Sequence, residues 1–205
     1  RDTGAGLEPV RVNVNQFTSE PTTRISLGVN LPGTDTTAGS AGDTRQLSVE
    51  YFDNLGTSQS IEISFTPTVP NTGDPASNTW TMIMRDTASN NAIVGEYTLE
   101  FNDSRSAGGT LQSVTQGTPA TGGAWEPVNC TLSIDVLGGP IEINIGAQGG
   151  NAGLTQLSDN FAPTAISKDG SPGGNLVSVE VDANGFVRAN FDVGITRTVY
   201  QIPLI

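Results

Sequence analysis

Apolar side chains recur with a period of two along much of the chain, the pattern of half-buried strands. Val10, Val12 and Val14 alternate with Arg11 and Asn13, and Ile25, Leu27 and Val29 repeat the pattern. Leu47, Val49 and Tyr51 alternate, Asp53-Asn54-Leu55-Gly56 turns, and Ile61, Ile63 and Phe65 alternate again, which predicts a hairpin with a moderately long connection. Trp80, Met82 and Met84 predict a further strand, and Tyr97, Leu99 and Phe101 another, ended by the turn-forming stretch 102–109. Gly138-Gly139-Pro140 separates Leu132, Ile134 and Val136 from Ile141, Ile143 and Ile145. Val177, Val179 and Val181 lead through the turn Asp182-Ala183-Asn184-Gly185 into Val187, Ala189 and Phe191, and a last strand covers 196–205, interrupted by Pro203.

Between these lie a lead-in at 1–8, a long exposed loop at 32–44 without an aliphatic anchor, a proline-bearing loop at 67–78 and a Gly/Thr/Pro stretch at 116–123. Gly146–Gly153 is the most glycine-dense segment and reads as a domain boundary, with one helical turn expected over Leu154–Phe161. There is no fixed-period repeat and no heptad pattern. Short strands joined by turn residues give an all-β fold of the antiparallel sandwich or barrel type.

Composition narrows this further. The chain has 205 residues, enough for one or two domains, with 25 Gly, 12 Pro and only 15% charged residues. That is the opposite of what a helical bundle needs. The absence of His removes Ser-His-Asp and Cys-His nucleophilic schemes and His-liganded metals, and the single Cys130 removes an internal disulfide and a cysteine metal cluster. No enzyme activity, metal or cofactor is expected. A net charge of −12 has the wrong sign for a nucleic-acid groove or an anionic membrane, and no apolar run is long enough for membrane insertion. The start, Arg1-Asp2-Thr3-Gly4, has no initiator Met and no signal-like core, so the chain reads as an excised fragment or a processed product.

The remaining candidate chemistry is carboxylate chemistry. Glu50, Glu62, Glu100, Asp135, Glu142 and Glu180 each sit between apolar strand residues. Two of them facing across a cleft would suit acid/base work on a glycan, whereas the period of two puts all six on solvated faces. Asp53, Asp182 and Asn184 lie in turns without the spacing of a calcium loop, and turn chemistry explains them. Cys130 reads as a small buried residue. Asn102-Asp103-Ser104 and Asn129-Cys130-Thr131 match the short glycosylation pattern. Trp80, Tyr51 and Tyr97 are in phase with aliphatic neighbours and read as core, while Trp125, between Gly122-Gly123 and Pro127, is the aromatic placed for a surface role.

Several segments taken in order resemble a known family. Arg24-Ile25-Ser26-Leu27-Gly28-Val29-Asn30-Leu31 resembles the T-x-I-x-L-x-x-N-L segment of bacterial flagellar hook proteins, and residues 49–58 (VEYFDNLGTS) resemble their V-Y-D-S-L-G-N-S hairpin. Asn78-Thr79-Trp80-Thr81 is similar to N-x-W-x-V, and Gly153-Leu154-Thr155-Gln156-Leu157 to G-L-T-Q-F. Lys168-Asp169-Gly170, Gly174-Asn175-Leu176 and residues 182–187 follow the Q-D-G, G-x-L and D-G-x-V run in order and spacing. Phe52 is inserted before Asp53, Asn184-Gly185 replaces Asp-Gly, and Val193-Gly194 stands for Asn-Gly.

The resemblance implies two β-domains, an outer one (24–146) inserted into a discontinuous inner one (1–23 and 147–205), without the family's terminal helices. It implies a structural subunit that polymerises with itself into a short curved tube, the universal joint between motor and filament. Neighbouring rod and hook–filament junction proteins would be its other partners. Export would use the flagellar secretion apparatus without a cleaved signal, and the isolated fragment would be monomeric. Sliding contacts would lie on polar faces and loops such as 32–44 and 67–78, over a core of Tyr51, Phe65, Trp80, Leu99 and Ile134. Phe161 and Phe191 would belong to the inner domain. The alternative from composition is a secreted carbohydrate-binding or adhesin β-sandwich.

Overall fold

The computed structural model describes residues 19–158, 160–192, 194 and 196–202. The chain divides into two compact units, one spanning Glu20–Pro172 and the other holding the described residues from Gly173 onward. The expected strand at Val10–Val14 lies outside the described residues. Among the described residues the regular elements are thirteen strands and two short 3₁₀ turns.

The larger unit is built around β1 (Arg24–Pro32). Its alternating Ile25, Leu27, Val29 and Leu31 are all buried, and so are Gly28, Asn30 and Pro32, because β1 is paired on both edges and enclosed from Leu27 onward, whereas Arg24 and Ser26 on its outer face stay exposed. On one edge runs β10 (Ala162–Lys168), antiparallel. On the other, two short strands share β1 end to end, both parallel to it. Here β8 (Gly139–Asn144) takes Arg24–Ser26, and β9 (Leu154–Leu157) takes Val29–Pro32. A hairpin partner, β7 (Thr131–Val136), completes this sheet beside β8. Gly28 permits the close approach of β10, since a Cβ there would lie 2.7 Å from Thr164 Oγ1 and 3.0 Å from the Ala165 carbonyl.

The second sheet is an antiparallel meander of β2 (Arg45–Phe52), β3 (Ser58–Pro67), β4 (Thr79–Asp86), β5 (Ala92–Phe101) and β6 (Leu111–Gln116). Its register places like positions opposite one another: Leu47, Ile63 and Met84 form one rung, and Phe65, Met82 and Tyr97 another. Directly opposed residues share a face, so these rungs stack on one side of the sheet. They merge with Ile25, Leu27, Leu132, Ile134, Ile141 and Ile143 of the first sheet into one hydrophobic cluster. The unit is therefore a two-layer sandwich, with Tyr51, Phe65, Trp80, Leu99 and Ile134 in its core as the alternation predicts.

Three sequence expectations change. Leu154–Leu157 is a strand, not a helical turn, because it fills the edge of β1 beyond the end of β8. Four residues, Leu-Thr-Gln-Leu, are too few to carry a period that separates the two. Gly146–Gly153 does not end the unit. A Cβ on Gly146 would lie 2.1 Å from the Ala152 carbonyl and one on Gly153 2.2 Å from the Ile145 carbonyl. The glycines thus allow a backbone crossing that returns the chain to the same sheet, and the unit runs on to Pro172. Phe161 accordingly packs on the larger unit's core, 6.3 Å from the Phe65 ring.

The second unit contains an antiparallel sheet of β11 (Leu176–Val181), β12 (Phe186–Phe191) and β13 (Thr196–Gln201). Asp182 shapes the β11–β12 turn by accepting from the Asn184 and Phe186 amides at 2.9 and 3.0 Å, while Gly185 supplies a φ of +78°.

Candidate functional surfaces

The six strand carboxylates, Glu50, Glu62, Glu100, Asp135, Glu142 and Glu180, are all exposed, on the outward positions of their strands. None faces another in register. Glu62 lies between Ser48 and Arg85, and Glu180 opposite Arg188. Glu142 pairs with Arg24 at 3.3 Å, and Glu100 accepts from Ser113 at 2.7 Å. Among the described residues no cluster of three acidic or cysteine side chains could hold a metal. Asp53 is used inside its own turn, accepting from the Leu55 and Thr57 amides at 2.8 and 2.9 Å. Burial works to raise its carboxyl, but those bonds outweigh it and hold it low.

Cys130 is half-buried rather than buried. It has a φ of +60° at the entry to β7, and its thiol lies 3.7 Å from the Pro127 carbonyl. The position is a turn, so conformation and not core packing decides it. Asn102 is engaged internally with Thr110 Oγ1 at 3.0 Å, whereas Asn129 is exposed. Trp125 lies half-buried against the core cluster with its indole nitrogen enclosed, so its role is packing more than surface display.

The polar residues of the segments that resemble the hook family tie strands together. Asn30 Oδ1 on β1 accepts from Thr155 Oγ1 at 3.2 Å and from the Leu157 amide at 3.0 Å, both on β9. Gln156 accepts from Trp80 Nε1 at 2.8 Å and donates to Asn78 Oδ1 at 2.8 Å, joining the two sheets through a buried network. Asp169 accepts from the Thr23 and Arg24 amides at 2.9 and 3.0 Å and from the Thr23 hydroxyl at 2.7 Å. Burial raises its carboxyl, and these donors more than reverse that. Lys168, the chain's one lysine, pairs with Glu50 and lies 4.2 Å over the Phe52 ring, bridging β10 to β2. Its ammonium is the largest influence holding the Glu50 carboxyl down.

One further tie was not visible in the sequence. Asp86, fully buried at the end of β4, accepts from Tyr51 Oη at 2.8 Å, the Leu137 amide at 2.9 Å, the Ala88 amide at 3.1 Å and the Ser89 hydroxyl. Burial raises its carboxyl, yet these donors hold it below the usual range, while burial and the nearby Asp86 push the Tyr51 phenol up. The signal available was a charged residue in phase with Trp80, Met82 and Met84 on an inward-facing strand position.

The outer faces are polar and shallow. One concavity of about 360 Å³ lies over β2–β4 beside Gln46, Ser48, Glu62, Ser64 and Arg85. Another of about 400 Å³ lies over β1, β7 and β8 beside Arg24, Ser26, Thr131, Glu142 and Asn144. The loops at 32–44 and 67–78 are joined, the Ser77 amide donating to the Thr36 carbonyl at 3.0 Å, and Arg45 anchors Asp35 at 2.8 Å. Thr36 is fully buried, so the first loop is pinned at its start.

The family model described as "Flagellar basal body protein FlaE D2 domain" matches residues 20–171. The flagellar hook protein FlgE of Brucella abortus is 24% identical across 98% of this chain, and that of Rhizobium meliloti 26% identical across 97%. The chain spans 44% and 43% of those proteins' lengths. The FlgE of Caulobacter vibrioides is 33% identical over 63 residues. Among solved structures, Helicobacter pylori flagellar hook protein FlgE2 is 15% identical over 78% of this chain and 32% of its own, with a TM-score of 0.49.

Proposed function

Because the chain belongs to the flagellar basal body protein FlaE D2 domain family, we propose that it is part of a structural subunit of the bacterial flagellar hook. The subunit polymerises with its own copies into the curved tube that couples motor to filament. The carrying observation is that two boundaries coincide: the family match covers 20–171, and the compact sandwich is Glu20–Pro172. Supporting it, the ends of that sandwich meet. Glu20 and Ser171 exchange backbone hydrogen bonds at 3.1 and 2.8 Å, so the sandwich begins and ends at one point, as a domain inserted into another must. In this reading Glu20–Pro172 is the outer domain, and the residues from Gly173 onward belong to the inner one. Rod and junction proteins adjoin the polymer's ends, and the subunit leaves the cell through the flagellar export apparatus without a cleaved signal.

The physical demand on a joint is a stiff unit with exchangeable contacts. Two sheets sharing one core give the stiffness, and the polar outer faces give wet contacts that exchange at little cost. The carbohydrate-binding alternative loses its stacking platform, since Trp80, Tyr51 and Tyr97 are buried. Deleting the encoding gene and imaging basal bodies by electron microscopy tests the reading. Loss of hooks, restored by the gene in trans, is expected, and hooks persisting in the deletion strain overturn it.

A further inference from the structure

Asn184-Gly185, at the tip of the β11–β12 hairpin, is the chain's only Asn-Gly pair. Asn184 is exposed to water, while Gly185 is buried. The pair has a chemistry of its own. The backbone nitrogen that follows an asparagine can attack the side-chain amide carbon, and a Cβ on the following residue crowds that approach. Glycine has none. Every other asparagine of the chain is followed by a residue that carries a Cβ.

The turn withholds the attacking nitrogen. Gly185 N–H donates to the Asp182 carbonyl at 3.0 Å, and the Gly185 carbonyl accepts from the Ile202 amide at 2.7 Å. The Asp182 carboxylate fixes the rest. Its Oδ1 accepts from the Asn184 and Phe186 amides at 2.9 and 3.0 Å, and its Oδ2 meets Arg188 at 3.1 Å. Attack needs the Gly185 nitrogen free of its proton and turned toward Asn184 Cγ, so the bond to Asp182 has to open first. The hairpin ends a sheet whose outer strands, β11 and β13, are largely exposed. Elements with few buried contacts open locally at lower free energy than a packed core.

We propose that Asn184 is a deamidation site gated by opening of the Asp182 turn. The Gly185 nitrogen bonds to Asn184 Cγ, the Cγ–Nδ2 bond breaks, and the departing amide nitrogen takes the Gly185 proton and leaves as ammonia. Water then opens the five-membered imide. Attack at Cγ gives aspartate, the residue that stands before this glycine in the hook-family pattern. Attack at the backbone carbonyl gives isoaspartate. Either product adds a negative charge to a chain already at −12. The two differ in their effect on the sheet. Aspartate keeps the main-chain path of the turn. Isoaspartate places an extra carbon between residue 184 Cα and the Gly185 nitrogen. The Asp182 amide to Phe186 carbonyl bond at 3.0 Å and the Ile202 bond to Gly185 then cannot both keep their register. The iso product therefore releases the end of β13 from the hairpin. This chemistry does not depend on the hook reading.

The test incubates the whole chain at mildly alkaline pH, folded and in urea, and follows Asn184 by peptide mapping with electron-transfer fragmentation, which separates aspartate from isoaspartate. The expected result is conversion in both states, slower in the folded chain by at least roughly tenfold. Asp182→Ala should speed conversion of the folded chain, and Asp182→Asn, which keeps an oxygen acceptor for the amides, should stay closer to wild type. Equal rates in folded and unfolded chain overturn the proposal, as does an Asn184 that stays intact in the folded chain while it converts in urea. A second measurement covers the case in which Asp182→Ala unfolds its sheet. In the wild-type chain, hydrogen exchange of the Gly185 amide should track the deamidation rate across temperature. Exchange that speeds up while deamidation does not follow overturns the gate, and so does a folded Asp182→Ala chain that converts no faster than wild type.

Discussion

Replacing Asp86 with Ala removes the acceptor for four donors, of which Tyr51 Oη is fully enclosed and the Leu137 amide partly so. A buried donor left unpaired costs about 1–3 kcal/mol, while the part-buried donors from Leu137, Ala88 and Ser89 recover water in part. Release of the carboxylate's own burial offsets part of this. The expected loss is about 2–4 kcal/mol at pH 7. Tyr51→Phe removes one donor and leaves Asp86 three, for about 0.5–1.5 kcal/mol. The double variant costs less than the sum, since each change removes the other's stranded partner. The pH dependence has a definite sign. The folded Asp86 carboxyl is held below its unfolded value. Its contribution is therefore present above the unfolded carboxylate value of about 3.9 and is lost as pH falls through the folded value. The gap between wild type and Asp86→Ala should be full at neutral pH and shrink below about pH 4. Urea unfolding followed by tryptophan fluorescence measures this, because both tryptophans, Trp80 and Trp125, lie in the larger unit. A cost under about 1 kcal/mol at pH 7, or a gap undiminished at pH 3, refutes the assignment of Asp86 as a satisfied buried carboxylate.

Phe65→Ala, a fully buried core position, should cost about 3–5 kcal/mol through lost transfer energy and a residual cavity, read from the same urea curves. Gly153→Ala should cost at least about 2 kcal/mol, because φ is +91° and the added Cβ would meet the Ile145 carbonyl at 2.2 Å; refolding yield and urea midpoint report it. Calorimetry should resolve two transitions, since the two compact units have separate strands and hydrogen bonds, and one transition with matching van't Hoff enthalpy would contradict that. Polar substitutions at exposed positions of 67–78 should change stability by under about 0.5 kcal/mol. They should nonetheless alter hook curvature in electron micrographs if those loops make sliding contacts.

What the sequence made legible follows from which residues alternate. β2, β3, β4 and β5 have one buried face, so Leu47–Tyr51, Ile61–Phe65, Trp80–Met84 and Tyr97–Phe101 announce themselves by period two. β10 gives no such signal because six of its seven residues are exposed, leaving no apolar stripe to read. β6 is nearly as quiet, with Leu111 its only fully buried residue. The glycines of 146–153 misled for a physical reason. A flexible linker and a tight backbone crossing demand the same residue type, and only the partner carbonyls of Ile145 and Ala152 tell them apart. Asp86 was hidden among strand residues, since its partners Tyr51 and Leu137 lie 35 and 51 positions away.

The buried polar ties explain how so repetitive a composition settles on one arrangement. β8 and β9 are both short, carry only two leucine or isoleucine side chains each and both run parallel to β1, so hydrophobic burial alone does not say which takes which half. A slip of one residue would turn every side chain to the wrong face, but an exchange or a two-residue slip would not. Asn30 resolves this. Its carbonyl oxygen finds Thr155 Oγ1 and the Leu157 amide only when β9 lies opposite Val29–Pro32. Gln156 then reaches Trp80 and Asn78 across the core only in that register, which couples the pairing of the first sheet to the packing of the second. Such bonds add little net stability over a well-packed apolar pair. In a wrong register each would instead strand a buried donor or acceptor at about 1–3 kcal/mol, so their weight falls on the alternatives. Single-residue polar positions in these strands thus do what apolar periodicity cannot, and the segments of the chain that resemble the hook family are the ones that contain them.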